Sequence, residues 1–148
     1  MRRLPAAVEA AMKQAVVKPR STRSRYNVDT SAAGKAKRTV DGIRFDSEAE
    51  AEYYRRLLAM LAVGEVTLII RQVPIDIPGP AVHRVDFMVW YKPKFGQPTV
   101  ELVEIKGRDL GEGKLKRRQA MQKWGIHIRV LRAVRQRRVI VGFEEVES

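Results

Sequence analysis

The sequence predicts an α/β protein in which a mixed sheet is flanked by helices. Segments with helical spacing of apolar residues alternate with short β-branched runs, in the order α-β-β-β-α-β. A chain of 148 residues with 45% apolar and 31% charged residues is typical of one globular domain. We therefore expect a single sheet domain, preceded by a short appendage.

The appendage is predicted to be a basic N-terminal arm at 1–38, ahead of a compact domain at 39–148. Residues 1–41 hold ten basic and three acidic residues, a net charge of +7 within the +12 of the whole chain. A short helix is predicted at 5–17. The stretch 18–38 is rich in Ser, Thr and Arg and has too few large apolar residues to fold alone, so we expect it to order only against a partner.

The compact domain begins with a helix predicted within 45–65. Ser47 and Glu50 have the spacing of a capping box, and Gly64 is a typical helix terminator. The apolar face of this helix is predicted to comprise Tyr53, Tyr54, Leu57, Leu58 and Leu61. The remaining elements are predicted as strands at 66–73, 82–91, 99–105 and 126–131, a hairpin loop at 92–98, a loop at Gly111 and Gly113, and a helix at 114–124. Residues 139–146 are either a last strand or a segment that covers an edge of the sheet.

Composition excludes several classes of site. The absence of cysteine excludes disulfides, Cys-ligated zinc, iron–sulfur clusters and thiol nucleophiles. The longest purely apolar run, 57–63, has seven residues, whereas a membrane span needs about 20. The net charge of +12 indicates a polyanionic partner, nucleic acid in the first place. We expect the protein to act in the cytoplasm, that of the host cell if the gene belongs to a phage.

Three charged residues stand out on two neighbouring strand candidates. Glu104 and Lys106 are two positions apart, so a strand places both on one face. Asp86 lies among apolar residues of the preceding strand, and pairing of the two strands would bring it close to Glu104. Converging carboxylates repel each other unless a lysine or a divalent cation compensates their charge, and Mg²⁺ prefers such oxygen ligands. Plain salt bridges with Lys106 and Arg84 are the structural alternative.

This pattern resembles that of a known superfamily. Asp86, followed 18 residues later by Glu104-Ile105-Lys106, is similar to the D-…-(D/E)-x-K signature of the PD-(D/E)XK nucleases. The preceding helix carries Glu50 in an F-x-S-x-x-E-A context similar to that of a phage group, which resembles the Holliday junction resolvases of archaea and phages. The resemblance covers residues 38–131, and Val85 stands where the superfamily signature has its proline.

The resemblance implies a restriction-endonuclease-like αβββαβ core and a set of catalytic residues. Asp86, Glu104 and the Ile105 carbonyl would bind Mg²⁺, for which Mn²⁺ can substitute. Glu50 would bind the metal through water or hold a second ion, and Lys106 would orient or deprotonate the attacking water. The alternative for Glu50 is a purely structural capping-box acid.

Contacts with DNA phosphates are expected from polar and basic residues of the arm, the strands and the second helix, with a solvated basic surface as the alternative. They are Ser47, Arg84, Lys114, Lys116, Arg117, Arg118, Arg23, Arg25, Lys35, Lys37 and Arg38, with Gln119 added by the resemblance. A second group comprises Arg135, Arg137 and Arg138. His83 is expected on the opposite face of its strand from Asp86, in a surface role.

Scattered basic residues favour recognition of DNA shape over DNA sequence. With the resemblance, they predict a structure-selective endonuclease that resolves four-way junctions by two symmetric cuts, and hence a homodimer. The dimer interface is expected at the apolar end of the first helix or at 139–143. Two alternatives stay open: a nuclease that nicks flaps or other branched DNA, and a non-catalytic basic DNA-binding protein of recombination or packaging. No membrane or small-molecule cofactor is expected.

Overall fold

The computed structural model describes residues 28–107 and 111–147. The chain divides into two compact units, Met1–Lys35 and Ala36–Ser148, whereas the sequence predicts the boundary at 38/39. The predicted helix at 5–17 and two of the expected DNA contacts, Arg23 and Arg25, lie outside the described residues.

Residues Ala32–Lys37 form a short helix, α1, where the sequence predicts a stretch that orders only against a partner. Ser31 Oγ accepts a hydrogen bond from the Gly34 amide at 3.1 Å, and Asp29 Oδ1 accepts one from the Ser31 amide at 2.9 Å. Alanine has the highest helix propensity, and an N-cap serine satisfies one of the first amides. Local hydrogen bonds of Asp29 and Ser31 thus cap a helical turn within the stretch that the sequence predicts to order only against a partner.

Helix α2 spans Glu48–Ala62 and begins at the predicted cap. Ser47 Oγ accepts from the Glu50 amide at 3.1 Å and donates to Glu50 Oε1 at 2.9 Å. Gly64, with φ of +76°, follows the last turn, as the sequence predicts. The buried face includes Tyr53 and Leu57, but Leu61 at the far end is exposed.

The central sheet has five strands in the order β3-β4-β5-β6-β7, and a separate two-stranded hairpin precedes α2. Only β5 and β6 are parallel; the other neighbours are antiparallel. The strands are β1 Thr39–Val40, β2 Ile43–Arg44, β3 Val66–Asp76, β4 Val82–Lys94, β5 Gln97–Ile105, β6 Ile128–Gln136 and β7 Val139–Val146. This confirms an α/β fold with a mixed sheet flanked by helices.

Two predicted loops are shorter in the structure. Strands β4 and β5 continue through most of 92–98 and turn only at Phe95 and Gly96, which have φ of +53° and +76°. The two positive φ angles fit a two-residue hairpin turn, which matches the twist of the strands. Helix α3 spans Gly111–Trp124, so Gly111 and Gly113 lie in its first turn and not in a loop.

Helices α2 and α3 pack against different core clusters. The first cluster joins Leu57 of α2 to Phe87 and Val103 of the sheet, and the second joins Ala120 of α3 to Val85. Strand β4 therefore contributes to both clusters, and Asp86 lies at the changeover between Val85 and Phe87. Among the described residues, no helix is long and apolar enough to cross a membrane.

Candidate active site

Antiparallel pairing of β4 with β5 brings Asp86 to the end of β5. Phe87 pairs with Val103, and the Ile105 amide donates to Asp86 Oδ2 at 2.8 Å. The predicted pairing of these two strands is confirmed. This hydrogen bond from Ile105 fixes the Asp86 carboxylate against the backbone between Glu104 and Lys106.

A second contact to Asp86 comes from β3 and has no signal in the sequence. The register of β3 and β4 sets Gln72 opposite Asp86, and Gln72 Nε2 donates to Asp86 Oδ1 at 3.3 Å. Gln72 has φ of +53°, a left-handed conformation that is unfavourable for a residue with a side chain. The backbone of β3 is thus strained at the position that faces the acid.

Burial and neighbouring charge disfavour the ionised form of Asp86. Burial raises its pKa, and the charge of Glu104 raises it further. The hydrogen bond from Ile105 and the charge of Lys106 act in the opposite direction without cancelling the effect.

Glu50, in the first turn of α2, joins the same electrostatic environment. Burial, followed by the charge of Asp86, raises the pKa of Glu50 from its ordinary value of 4.5 to about 7. The hydrogen bond from Ser47 and the charge of Lys106 only partly oppose this rise. Near neutral pH, Glu50 is therefore close to half protonated. The capping contact of Glu50 with Ser47 is confirmed, and the same carboxyl group is close enough to Asp86 for the charge of Asp86 to raise its pKa.

Glu104 is fully buried but is surrounded by positive groups. His83 Nε2 donates to Glu104 Oε1, and Arg117 Nη1 donates to Glu104 Oε2 at 3.0 Å. Lys106 Nζ lies 3.6 Å from the same Oε2. Burial alone would raise the pKa of Glu104, but the His83 hydrogen bond and the charges of Lys106 and Arg117 outweigh it and lower the pKa. Glu104 is therefore held ionised.

Two residues of this cluster lie elsewhere than the sequence predicts. His83 is not in a surface role; it is buried against Glu104. Arg117 is fully buried and bound to Glu104, so the expectation that it contacts DNA phosphate is wrong for this conformation. Its spacing gives a usable signal: Ala120 and Met121 follow at i+3 and i+4, which sets Arg117 on the apolar face of α3.

Lys106 is the common neighbour of the three carboxylates. It forms an ion pair with Glu104, and its charge lowers the pKa of both Asp86 and Glu50. Its side chain is 31% exposed, whereas Glu104 is closed off from solvent. One cation thus stands at the accessible side of an otherwise buried group of acids.

The fit of a metal ion is better for two of these acids than for the third. Within residues 28–107 and 111–147, no group of three His, Cys, Asp or Glu side chains is placed to hold a metal. Mg²⁺, however, commonly binds one or two carboxylates and completes its shell with water and substrate phosphate. Asp86 and Glu50 are the carboxyl groups of the cluster whose pKa is raised, by burial first and then by the charge of Glu104 on Asp86 and of Asp86 on Glu50, so an added cation would favour their ionised forms. The charge of Glu104 is already balanced by His83, Arg117 and Lys106.

The other expected DNA contacts differ in how available they are. Arg84 and Arg118 are exposed, whereas Lys114 and Gln119 are half-buried. Lys116 forms an ion pair with Glu112 at 2.6 Å. In α1 Lys35 and Lys37 are exposed, and directly after this helix Arg38 Nη1 donates to the Phe45 carbonyl at 3.0 Å. Of the last group, Arg135 pairs with Glu48, and Arg137 and Arg138 form the exposed turn between β6 and β7.

Comparison of the chain with models of known protein families, with curated proteins and with solved structures found no match. The functional interpretation therefore depends on the residues of this chain and their arrangement.

Proposed function

We propose that this protein is a metal-dependent endonuclease that cuts branched DNA, with the four-way junction as its substrate. The observation that carries the proposal is the position of Lys106 beside Asp86, Glu50 and Glu104. A lysine next to acids that can take a divalent cation supplies positive charge to a negatively charged phosphodiester and a means of activating water, both of which promote its hydrolysis.

Asp86 and Glu50 would hold the metal ion. When bound, Mg²⁺ would polarise a phosphate oxygen and lower the pKa of a coordinated water. The Ile105 amide and the Gln72 amide fix the Asp86 carboxylate, and Ser47 fixes that of Glu50. These contacts hold both acids in place before substrate arrives.

Lys106 would act on the substrate directly. Its ammonium group is partly exposed and can donate to the phosphate or to the attacking water. Glu104 would serve as its positioning residue, since the ionised Glu104 carboxylate lies 3.6 Å from Lys106 and is itself held by His83 and Arg117. In the proposal, Glu104 orients the lysine and is not a principal metal ligand.

The substrate class follows from charge and its distribution. A net charge of +12 suits DNA, and the exposed basic residues of several elements suit contact with the backbone of more than one duplex arm. A junction presents such arms, and its resolution needs a cut in each of two strands. A homodimer would bring two sites to one junction.

The test is a cleavage assay on a labelled immobile four-way junction with Mg²⁺, beside linear duplex, a flap and a Y-fork. Paired symmetric nicks in the junction alone are expected. Asp86→Asn and Lys106→Ala should bind the junction and cut at least about 100-fold more slowly. Lys94→Ala, a matched change at the exposed far end of β4, should cut like the unaltered chain. Equal cutting of all branched forms would replace the junction with branched DNA in general.

One observation favours a second function, that of a non-catalytic DNA-binding protein. Glu104 is compensated by His83, Arg117 and Lys106, as in a buried structural ion cluster, and the described residues contain no three-acid metal group. Binding of the junction without any cleavage in Mg²⁺ or Mn²⁺ would decide for this function and against the nuclease.

A further inference from the structure

Arg71, on the edge strand β3, borders the candidate site from the side of the sheet. Strand β3 is the first strand in the order of the five-stranded sheet, so no other described strand covers its outer side. Arg71 pairs with Phe87, and the next residue along β3, Gln72, donates a hydrogen bond to Asp86. Arg71 is therefore one position away from the residue that holds a principal acid of the site.

Two aromatic rings hold the guanidinium of Arg71 from the side of α2. Its Cζ lies 5.8 Å from the ring centroid of Phe45 and 5.9 Å from that of Tyr54, within the range of cation–π contacts. Phe45 precedes the capping residue Ser47 by two positions. Tyr54 follows Glu50 by four, so both lie on one side of α2. The helix and the sheet therefore both place the guanidinium next to the site.

The charge of Arg71 is not balanced by an acid of the described chain. Arg71 is exposed, and among the residues that the structure describes its guanidinium forms no ion pair and no side-chain hydrogen bond. By contrast, Arg117 is bound to Glu104, and Arg135 is bound to Glu48. Contacts with aromatic rings use no N–H group, so the five donors of the Arg71 guanidinium remain available to an anion.

We propose that Arg71 binds a phosphate group of the DNA strand that the site would cut, an inference that rests on the proposed function. A guanidinium offers two parallel N–H donors to a phosphate, a planar contact that lysine cannot make. Because two rings already restrict its orientation, the side chain loses little entropy when a phosphate binds. An unpaired cation also attracts the anionic backbone to a site whose own acids would repel it.

Arg71 and Lys106 would then have different tasks. Lys106 is paired with Glu104 and lies among the acids, whereas Arg71 is held by aromatic rings at the uncovered edge of the sheet. Arg71 should therefore contribute to the affinity for DNA in the ground state, and Lys106 to the rate of cleavage. Arg71 is not among the DNA contacts expected from the sequence, since it lies within a strand candidate and its aromatic neighbours come from other segments.

The test is binding of a fluorescein-labelled four-way junction to the full chain, measured by fluorescence anisotropy in EDTA at several salt concentrations. Arg71→Gln should raise the Kd by about 10-fold and lower the slope of log Kd against log salt concentration by about 0.9, the share of one phosphate contact. Arg71→Lys keeps the charge and should keep the slope. Lys94→Gln removes the same charge at the exposed far end of β4 and should change neither quantity.

Three results would overturn the proposal. The first is an Arg71→Gln variant with the Kd and the salt slope of the unaltered chain. The second is an equal effect of Lys94→Gln, because it would show a general effect of net charge. The third is an Arg71→Gln variant that unfolds at a lower temperature but binds the junction normally where it is folded. The cation–π contacts of Arg71 would then have a structural role alone.

A double-mutant cycle tests whether the rings position the guanidinium. Tyr54→Leu leaves every charge in place and should weaken junction binding by about 3-fold when Arg71 is present. In the Arg71→Gln background the same change should leave the Kd unaltered. Equal weakening in both backgrounds would show that Tyr54 acts through the fold and not through Arg71, which would contradict the positioning by aromatic rings.

These measurements of binding are independent of cleavage. Loss of affinity and of salt slope in Arg71→Gln, in a protein that cuts no DNA, would sustain the phosphate contact and refute the nuclease. Cleavage of the junction by Arg71→Gln with the KM of the unaltered chain would sustain the nuclease and refute the phosphate contact.

Discussion

Glu104 and Glu50 are both buried glutamates beside Lys106, yet their surroundings drive their ionisation in opposite directions. Glu104 receives bonds from His83 and Arg117, and its pKa is lowered. Glu50 accepts a hydrogen bond from the Ser47 hydroxyl, but burial and the charge of Asp86 raise its pKa to about 7. Burial acts on both acids in the same direction, so the difference comes from the sign of the neighbouring charges.

This contrast assigns different tasks to the two acids. An acid that is already paired with cations gains little from a metal ion, and its removal leaves buried cations without a partner. An acid that is held near its pKa at neutral pH can bind a cation by releasing a proton. Substitution of each acid, and of the residues that contact it, tests this difference between Glu104 and Glu50.

The largest effect is expected from Glu104→Gln. The neutral amide leaves the buried Arg117 without its carboxylate, which should lower the free energy of unfolding by about 3–5 kcal/mol. Urea unfolding followed by circular dichroism at pH 7 measures it. In the double variant Glu104→Gln/Arg117→Met the loss should be smaller than in the single variant. A single variant as stable as the unaltered chain would contradict the compensated state of Glu104.

Glu50→Gln should have the opposite effect above neutral pH. Because the pKa of Glu50 is higher in the fold than in the unfolded chain, the folded state binds more protons between pH 4.5 and about 7. Stability should therefore fall as pH rises through this window, by about 3 kcal/mol, and Glu50→Gln should remove that fall. Urea unfolding at pH 5 and pH 8 measures the change of the free energy of unfolding with pH in the unaltered chain and in Glu50→Gln. A pH dependence that persists in Glu50→Gln would assign it to another group.

Divalent cations should stabilise the unaltered chain and not Asp86→Asn. At a Mn²⁺ concentration ten times the Kd, the free energy of unfolding should rise by about 1.4 kcal/mol, because only the folded state has the site. Thermal unfolding with and without Mn²⁺ detects this without any measurement of cleavage. Glu104→Gln should keep a Mn²⁺ response if Glu104 is a positioning residue. If Glu104→Gln loses the stabilisation by Mn²⁺ and Asp86→Asn keeps it, Glu104 is a metal ligand and not a positioning residue.

The smallest effect is expected at Gln72, and it separates backbone strain from the contact to Asp86. Gln72→Ala and Gln72→Gly both remove the amide, but only glycine adopts φ of +53° without strain. The glycine variant should be the more stable of the two by about 1 kcal/mol in urea unfolding. At a strand position with negative φ the alanine variant would be the more stable. The sign of the stability difference between the two variants therefore shows whether the backbone at Gln72 is strained.

Much of the fold is predictable because its signals are local. The order of helices and strands, the Ser47 cap and the Gly64 end of α2 follow from spacing and from residues adjacent in sequence. The misplaced boundaries at 92–98 and at Gly111 have a local cause as well. Proline and glycine predict loops at these positions, although a two-residue turn and the first turn of a helix can accommodate them.

The candidate site is only partly predictable. Asp86, Glu104 and Lys106 are recognisable from their spacing, since pairing of consecutive strands brings them together. The contacts of Glu104 are not, because His83 and Arg117 come from segments that meet only when α3 packs on the sheet. Gln72 is invisible in the sequence, since neither its left-handed backbone nor its partner on β4 has a local signal.

The sequence by itself determined the α/β class, the absence of cysteine chemistry, the strong positive charge and the two acids with a lysine on neighbouring strands. Only the tertiary structure decided which acid is compensated and which is not. The reason is physical: residue type and spacing are properties of the chain, whereas a pKa depends on burial and on charges that distant segments bring within a few ångströms.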